Sequence, residues 1–186
     1  METEMEVTRF KAKRLIKSQA FLEGEVSLSS GKKSNYYVKL IRVLNNPFGL
    51  RYIVDLLVEE TRLGVPSFNG VGGITLGGAP LVYGFLAKWP AAYGFLVRTD
   101  DKTHGFKEAV ELPAYINEVG KNVVLFDDVM TSGGSLLKGW KLCKEYGLNV
   151  VKAVVVVDRQ EGGIENCAAE GLKVASLFTV DEILKE

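Results

Sequence analysis

Cysteine and histidine are scarce in this sequence, and the scarcity narrows what the chain can do. Two cysteines and one histidine occur in 186 residues. Cys143 and Cys167 are too few for a disulfide framework, and without CxxC spacing they do not read as a redox or zinc motif. Cys143 shares a helical face with Leu136 and Trp140, and Cys167 lies in a helix of small residues, so both are expected in the core. Net charge is absent as well: Lys+Arg and Asp+Glu are 23 each. That balance removes the electrostatic case for non-specific binding to nucleic acid or anionic membranes. No stretch reaches the roughly 18 consecutive apolar residues of a membrane-spanning helix. The N-terminus mixes charges throughout, unlike a secretory leader. A soluble, cytoplasmic protein is expected.

What is present is an ordinary globular composition, 47% hydrophobic and 25% charged. The length favours one domain over residues 1–186, with an N-terminal portion to about residue 45 ahead of an α/β core. Apolar spacing predicts a first helix ending near Phe21, then short strands over Glu25 to Leu28 and Tyr36 to Ile41, separated by a run of turn formers. Pro47 opens a helix to Arg62, with Leu50, Ile53, Val54 and Leu57 on one face. Strands and helices then alternate. Strands are expected at Phe68 to Gly73, Tyr93 to Arg98, Asn122 to Phe126, Val150 to Val157 and Lys173 to Leu177. Helices are expected at Gly78 to Lys88, Ser135 to Tyr146, Ile164 to Glu170 and Val180 to Lys185, with Gly147 stopping the second. The β-branched run Val150 to Val157 is too apolar for a strand with one wet face and belongs inside a parallel sheet. The alternation predicts a doubly wound, mostly parallel α/β sheet with helices on both faces. Ligands of such sheets bind beyond the carboxyl ends of the strands.

One such end carries Asp127 and Asp128, followed by Val129, Met130, Thr131, Ser132, Gly133, Gly134 and Ser135 before a helix. Adjacent carboxylates at the end of a buried strand are costly unless paired, and sugar hydroxyls or a Mg²⁺ carried by a substrate would pair them. The Thr-Ser-Gly-Gly-Ser turn offers backbone N–H groups at a helix N-terminus, where a phosphate is favoured. Carboxylates beside a phosphate cradle make sense when a sugar lies between them. A Walker loop is excluded, because no Gly-Lys-Ser/Thr follows.

The string VVLFDDVMTSGGS resembles the phosphoribosyl pyrophosphate (PRPP) signature of the type I phosphoribosyltransferases. Four further segments resemble the orotate-specific branch of that family. Leu28-Ser-Ser-Gly-Lys-Lys-Ser-Asn-Tyr-Tyr37 is similar to the SGRxSxYY hood over the base. Gly72 to Pro80, GGITLGGAP, resembles the pyrophosphate loop. Val97 to Gly105, with Arg98, Lys102 and His104, resembles the mobile loop that is lent to a neighbouring subunit's site. Val157-Asp158-Arg159-Gln160-Glu161 resembles the DRxE turn where an arginine meets the base's carboxylate.

The resemblance runs from about Phe21 to Glu161 and implies a fold, a reaction and a set of roles. The roles are Asp127 and Asp128 on the ribose hydroxyls and Thr131 to Ser135 on the 5′-phosphate. Gly77, Arg98, Lys102 and His104 would serve pyrophosphate, and Arg159, Lys33, Tyr36 and Tyr37 would fix orotate. It further implies Mg²⁺ as cofactor, PRPP and orotate as substrates, no nucleic-acid or membrane partner, and a homodimer with shared active sites. The sequence departs from the pattern at Ser29, Gly77 and Thr99, where relatives often have lysine. The acidic pair Asp100-Asp101 also lies inside the mobile loop. Two other readings stay open: a transferase of the same fold for another base, and a non-catalytic nucleotide-sensing regulator. The hood and Arg159 count against the first, and the lack of a basic stripe counts against an RNA-binding form of the second.

Overall fold

The computed structural model describes residues 3–27, 33–65, 67–99 and 108–185. Helix α1 (Glu4–Leu15) runs into a π-type turn at Ile16–Ala20, which leads to a hairpin of β1 (Phe21–Ser27) and β2 (Lys33–Val38). Then come α2 (Ile41–Leu44), α3 (Pro47–Arg62), β3 (Gly70–Ile74), α4 (Ala79–Lys88), β4 (Tyr93–Val97) and β5 (Val110–Glu111). A 3-10 turn at Ile116–Glu118 precedes β6 (Asn122–Met130), α5 (Gly134–Glu145), β7 (Asn149–Asp158), α6 (Gly163–Ala169), β8 (Val174–Thr179) and α7 (Val180–Leu184).

Local chemistry sets several of these ends. The Asn46 side chain accepts from the Phe48 and Gly49 N–H groups at 3.0 and 3.3 Å, and Pro47 supplies the first helical residue of α3. An N-cap satisfies donors the helix cannot satisfy itself, and proline there gives up an N–H that has no intrahelical partner. Gly147, at φ +76°, takes the left-handed conformation that ends α5.

The main sheet has the order β5-β4-β3-β6-β7-β8, parallel throughout except for β5, which pairs antiparallel with β4. Alternate residues of each central strand feed opposite layers. Val124, Phe126, Val154 and Val156 pack with α1, α3, α4 and α7, whereas Val123, Leu125, Ala153 and Val155 pack with α5 and α6. This is the doubly wound sheet the alternation predicts. Along β7, Ala153 to Val157 are all fully buried, as a strand covered on both faces must be. The N-terminal portion shares the first layer, through Ala12, Ile16, Ala20, Val38 and Leu40. Both cysteines are fully buried as expected, and burial pushes the Cys143 thiol up to about 12, which suits packing and not reactivity. No helix among the described residues is long and apolar enough to cross a membrane.

Some elements differ from expectation. β1 begins at Phe21 because Phe21 and Leu22 pair with Val38 and Tyr37, and a bulge between Glu23 and Val26 breaks the period that would have marked it. β2 stops at Val38: the Arg42 and Val43 N–H groups bond back to the Lys39 and Leu40 carbonyls, so Ile41 opens a helix and is not strand. β5 and the 3-10 turn are too short to show a period. β6 runs on to Met130, past the expected end at Phe126. Asn46→Ala is expected to cost about 1 kcal/mol, read as a lower urea midpoint with an unchanged slope.

Candidate active site

The strand order reverses between β3 and β6. The helix after β3 lies on one face of the sheet and the helix after β6 on the other, so a crevice opens at the carboxyl ends of these neighbours. Pairing of β3 with β6 stops at Gly73 and Phe126, while β6 stays paired with β7 through Met130. Asp127 and Asp128 therefore stand on the overhang of β6, held from one side only. Strand propensity alone disfavours aspartate there; the β7 ladder overrides it. This corrects the expectation that the acid pair belongs to a loop after the strand.

Asp127 is 7% exposed. Its carboxylate accepts from the Asp128 N–H, and that of Asp128 accepts from the Val129 N–H, each at 2.9 Å. Burial, and then the neighbouring Asp128 charge, raise the Asp127 carboxyl well above the ordinary carboxylate range; burial raises Asp128 as well.

The Gly72–Gly78 loop closes the β3 side of the crevice. Its Thr75–Leu76 peptide is cis, and the Gly78 N–H returns to the Ile74 carbonyl at 2.7 Å. At Gly77 a β-carbon would collide with the Asp128 carboxylate, so glycine is what lets this loop lie against the acid pair. On the β6 side, Thr131 to Gly134 turn into α5. Gly133 holds φ +80° as the residue before the helix, with the Cys167 sulfur 2.9 Å from where its β-carbon would be. Asn166 Nδ2 donates to the Ser132 carbonyl at 3.0 Å and ties this turn to α6.

Two cavities meet over the acid pair. One, of about 320 Å³, lies over the Thr131-to-Ser135 turn, and the other, of about 360 Å³, lies between Tyr37 and the Gly77 loop; Asp127, Thr99 and Ser135 line both. The hairpin reaches the Asp158-to-Glu161 turn from the opposite flank. The Arg159 guanidinium stacks 4.6 Å from the Tyr36 ring centre, and Phe21 packs on that ring at 5.6 Å. Arg159 is 5% exposed, and its Nε lies 2.8 Å from Glu161 Oε1. Gln160 between them takes a positive φ of 59°, braced by its N–H on the Asp158 carboxylate and by its side chain accepting from the Asp181 N–H. Burial raises Asp158 above its usual value.

The structure thus brings together Asp127, Asp128, Thr131 to Ser135, Gly77 and Tyr37, with Arg159 and Tyr36 in contact with each other. Arg98 is placed differently: its Nε and Nη2 donate to Glu111 Oε1 at 2.9 and 2.6 Å, and it lines neither cavity. Ser29, Asp100, Asp101, Lys102 and His104 lie outside the described residues, as does the side chain of Lys33. Lys39 and Lys138 line the cavities without having been singled out from the sequence. Lys138 had a signal, since a lysine just past a helix start opposes the dipole. Lys39 had none.

The raised Asp127 pKa has a consequence for stability. A folded-state pKa above the unfolded one means that the folded chain binds its proton more tightly, so stability falls as pH rises from the unfolded value of about 3.8 through the folded one. In the ligand-free protein, Asp127→Asn is expected to raise the thermal midpoint near neutral pH, with the gain shrinking toward about pH 4. Equal midpoints for parent and variant across that range would contradict the burial cost.

With this geometry in place, comparison with known proteins is direct. Residues 71–184 match the phosphoribosyl transferase domain. The chain is 40% identical to the orotate phosphoribosyltransferase of Aquifex aeolicus over 185 residues, covering 95% of this chain and 97% of the relative. The crystal structure of orotate phosphoribosyltransferase from Aeropyrum pernix superposes with a TM-score of 0.79 at 29% identity, covering 94% of this chain and 97% of that one. That of the Mycobacterium tuberculosis enzyme in complex with PRPP gives 0.74 at 27% identity, covering 95% and 98%. A strand-end acid pair, the Thr131-to-Ser135 turn and a glycine loop at one switch point, in a chain this similar end to end, place it in the orotate phosphoribosyltransferase branch of the phosphoribosyltransferase family.

Proposed function

We propose that the protein transfers the phosphoribosyl group of PRPP to orotate, giving orotidine 5′-monophosphate and pyrophosphate, as one domain acting in the cytoplasm. The observation that carries this reading is the crevice between β3 and β6, where carboxylates, phosphate-turn N–H groups and the Gly77 loop converge. Breaking the bond from C1 to the pyrophosphate oxygen builds positive charge on the ribose and negative charge on the leaving group. The protein's task is therefore electrostatic stabilisation and positioning, without a covalent nucleophile.

Thr131, Ser132, Gly133, Gly134 and Ser135 take the 5′-phosphate at the start of α5. Asp127 and Asp128 accept from the ribose hydroxyls, which relieves the carboxylates' unpaired burial and fixes C1. Arg159 forks the orotate carboxylate, already oriented by the Tyr36 ring and Glu161. Lys33 and Tyr37 complete the base side. Arg98, Lys102 and His104 act on pyrophosphate, for which Arg98 exchanges its Glu111 partner.

The residues fit a Mg²⁺ that arrives with PRPP. Among the described residues no group of three or more metal-binding side chains occurs, whereas the buried Asp127 and half-buried Asp128 carboxylates lie side by side. Mg²⁺ typically takes one or two carboxylates together with substrate phosphates. When bound, the ion neutralises the charge of the departing pyrophosphate.

The test is orotidine monophosphate formation from orotate and PRPP, with and without Mg²⁺. Arg159→Ala is expected to cost ~2–5 kcal/mol in orotate binding and to spare PRPP; equal loss for both substrates sinks the assignment. Gly77→Ala should fold, because Asp128 can rotate aside, yet raise KM for PRPP by roughly tenfold as the displaced carboxylate leaves the ribose. A homodimer sharing its loops predicts that mixing Lys102→Ala with Asp128→Asn restores part of the activity through hybrid sites. Hybrids as inactive as their parents would mean that each subunit uses its own loop.

A further inference from the structure

The cavity of about 360 Å³ beside the Gly77 loop is lined by the carboxylates of Asp127 and Asp128, and Lys39 is the one cationic side chain of a described residue on its wall. Pyrophosphate carries far more negative charge than backbone N–H groups alone stabilise. The glycine loop presents no cation at position 77, where the Asp128 carboxylate occupies the space next to the glycine. Thr99, on the same wall, is neutral, and Lys138 lines the neighbouring phosphate cavity and not this one.

Lys39 enters from the root of the hairpin. Its N–H bonds to the Ala20 carbonyl at 2.8 Å and its carbonyl accepts from Arg42 at 3.2 Å. Val38 and Leu40 on either side are 3% and 0% exposed. The backbone is therefore anchored by two buried neighbours while the lysine itself remains exposed. No carboxylate of a described residue forms an ion pair with its ammonium. An anchored stem with an uncommitted head is the arrangement a lysine needs to follow an anion that changes position during a reaction.

We propose that Lys39 is a pyrophosphate-binding residue. Its ammonium donates to the pyrophosphate oxygens of PRPP and holds them as the C1–O bond breaks and the electron pair leaves on the bridging oxygen. The assignment rests on the phosphoribosyl-transfer reading above. It follows from the order of the cavities: the phosphate turn lies on one side of the acid pair, so the leaving group falls on the other, against Gly77 and Lys39. Arg159, assigned to the base, does not line this cavity.

The experiment is calorimetric titration of the parent, Lys39→Ala and Lys39→Arg with inorganic pyrophosphate and Mg²⁺. Orotidine 5′-monophosphate, which shares the ribose and phosphate but has no pyrophosphate, is the control ligand. Lys39→Ala is expected to weaken pyrophosphate binding roughly tenfold, a loss that shrinks with added salt, and to leave the nucleotide within about twofold. Lys39→Arg should retain most of the affinity. In turnover, KM for PRPP should rise while KM for orotate holds. Unchanged pyrophosphate affinity in Lys39→Ala, or equal loss for pyrophosphate and nucleotide, overturns the proposal. Lys39-dependent pyrophosphate binding in a parent that forms no orotidine monophosphate supports the lysine's role and refutes the transfer reading instead.

Discussion

The placing of two adjacent carboxylates, buried Asp127 and half-buried Asp128, at the end of a central strand is the constraint around which the rest of this structure is arranged. Like charges side by side in a desolvated crevice oppose folding, and the neighbouring backbone N–H groups of Asp128 and Val129 offset only part of that cost. The pair is held in place by the surplus from the apolar sheet beneath it, where Val124, Leu125, Phe126 and the facing valines of β7 are fully buried. It also dictates its surroundings. Glycine at position 77 lets the loop from β3 lie against Asp128 without displacing its carboxylate, and β6 outruns β3 so that the carboxylates reach the crevice while β7 keeps them fixed.

The second arrangement is that both flanks of the crevice are tied to the opposite layers of the fold. The Thr131-to-Ser135 turn is pinned by Asn166 of α6 on one face. The Asp158-to-Glu161 turn is pinned by Asp181 of α7 on the other, and through Tyr36 by the hairpin. Lys152 adds a brace between the sheet and α3: its ammonium donates to the Glu60 and Leu63 carbonyls and to the Glu60 carboxylate. A lysine inside a β-branched run is thereby satisfied at a helix end, where unpaired carbonyls favour a cation. Preorganisation of the site is a property of both layers, and neither could be thinned without loosening one flank.

Much of this was legible in the sequence. The order of strands and helices, the Pro47 start and the Gly147 stop followed from period and punctuation, and the strand-end rule pointed to Asp127 and the turn after it. Legibility failed where a tertiary partner overrides local preference. Nothing in Asp127 and Asp128 themselves predicts strand; the pairing of β6 with Val155 and Val157 of β7 does. The start of β1 was hidden by its bulge. Gly77 looked like a lost lysine in the string, and only the fold shows that a side chain there would displace the Asp128 carboxylate. Lys39 sits at an ordinary strand exit and acquires a cavity wall only when the hairpin folds over the core.

The short antiparallel strand β5 has a consequence for how these molecules behave in a crowded solution. A parallel sheet ending on β4 would present a row of open backbone donors and acceptors to any passing chain. Instead the C-terminal end of β4, at Leu96 and Val97, is bordered by a ladder two residues long, Val110 and Glu111, with Glu111 bound by Arg98. So brief and charged a margin offers an incoming strand almost nothing to zip onto at that end of β4, which guards it against edge-to-edge aggregation.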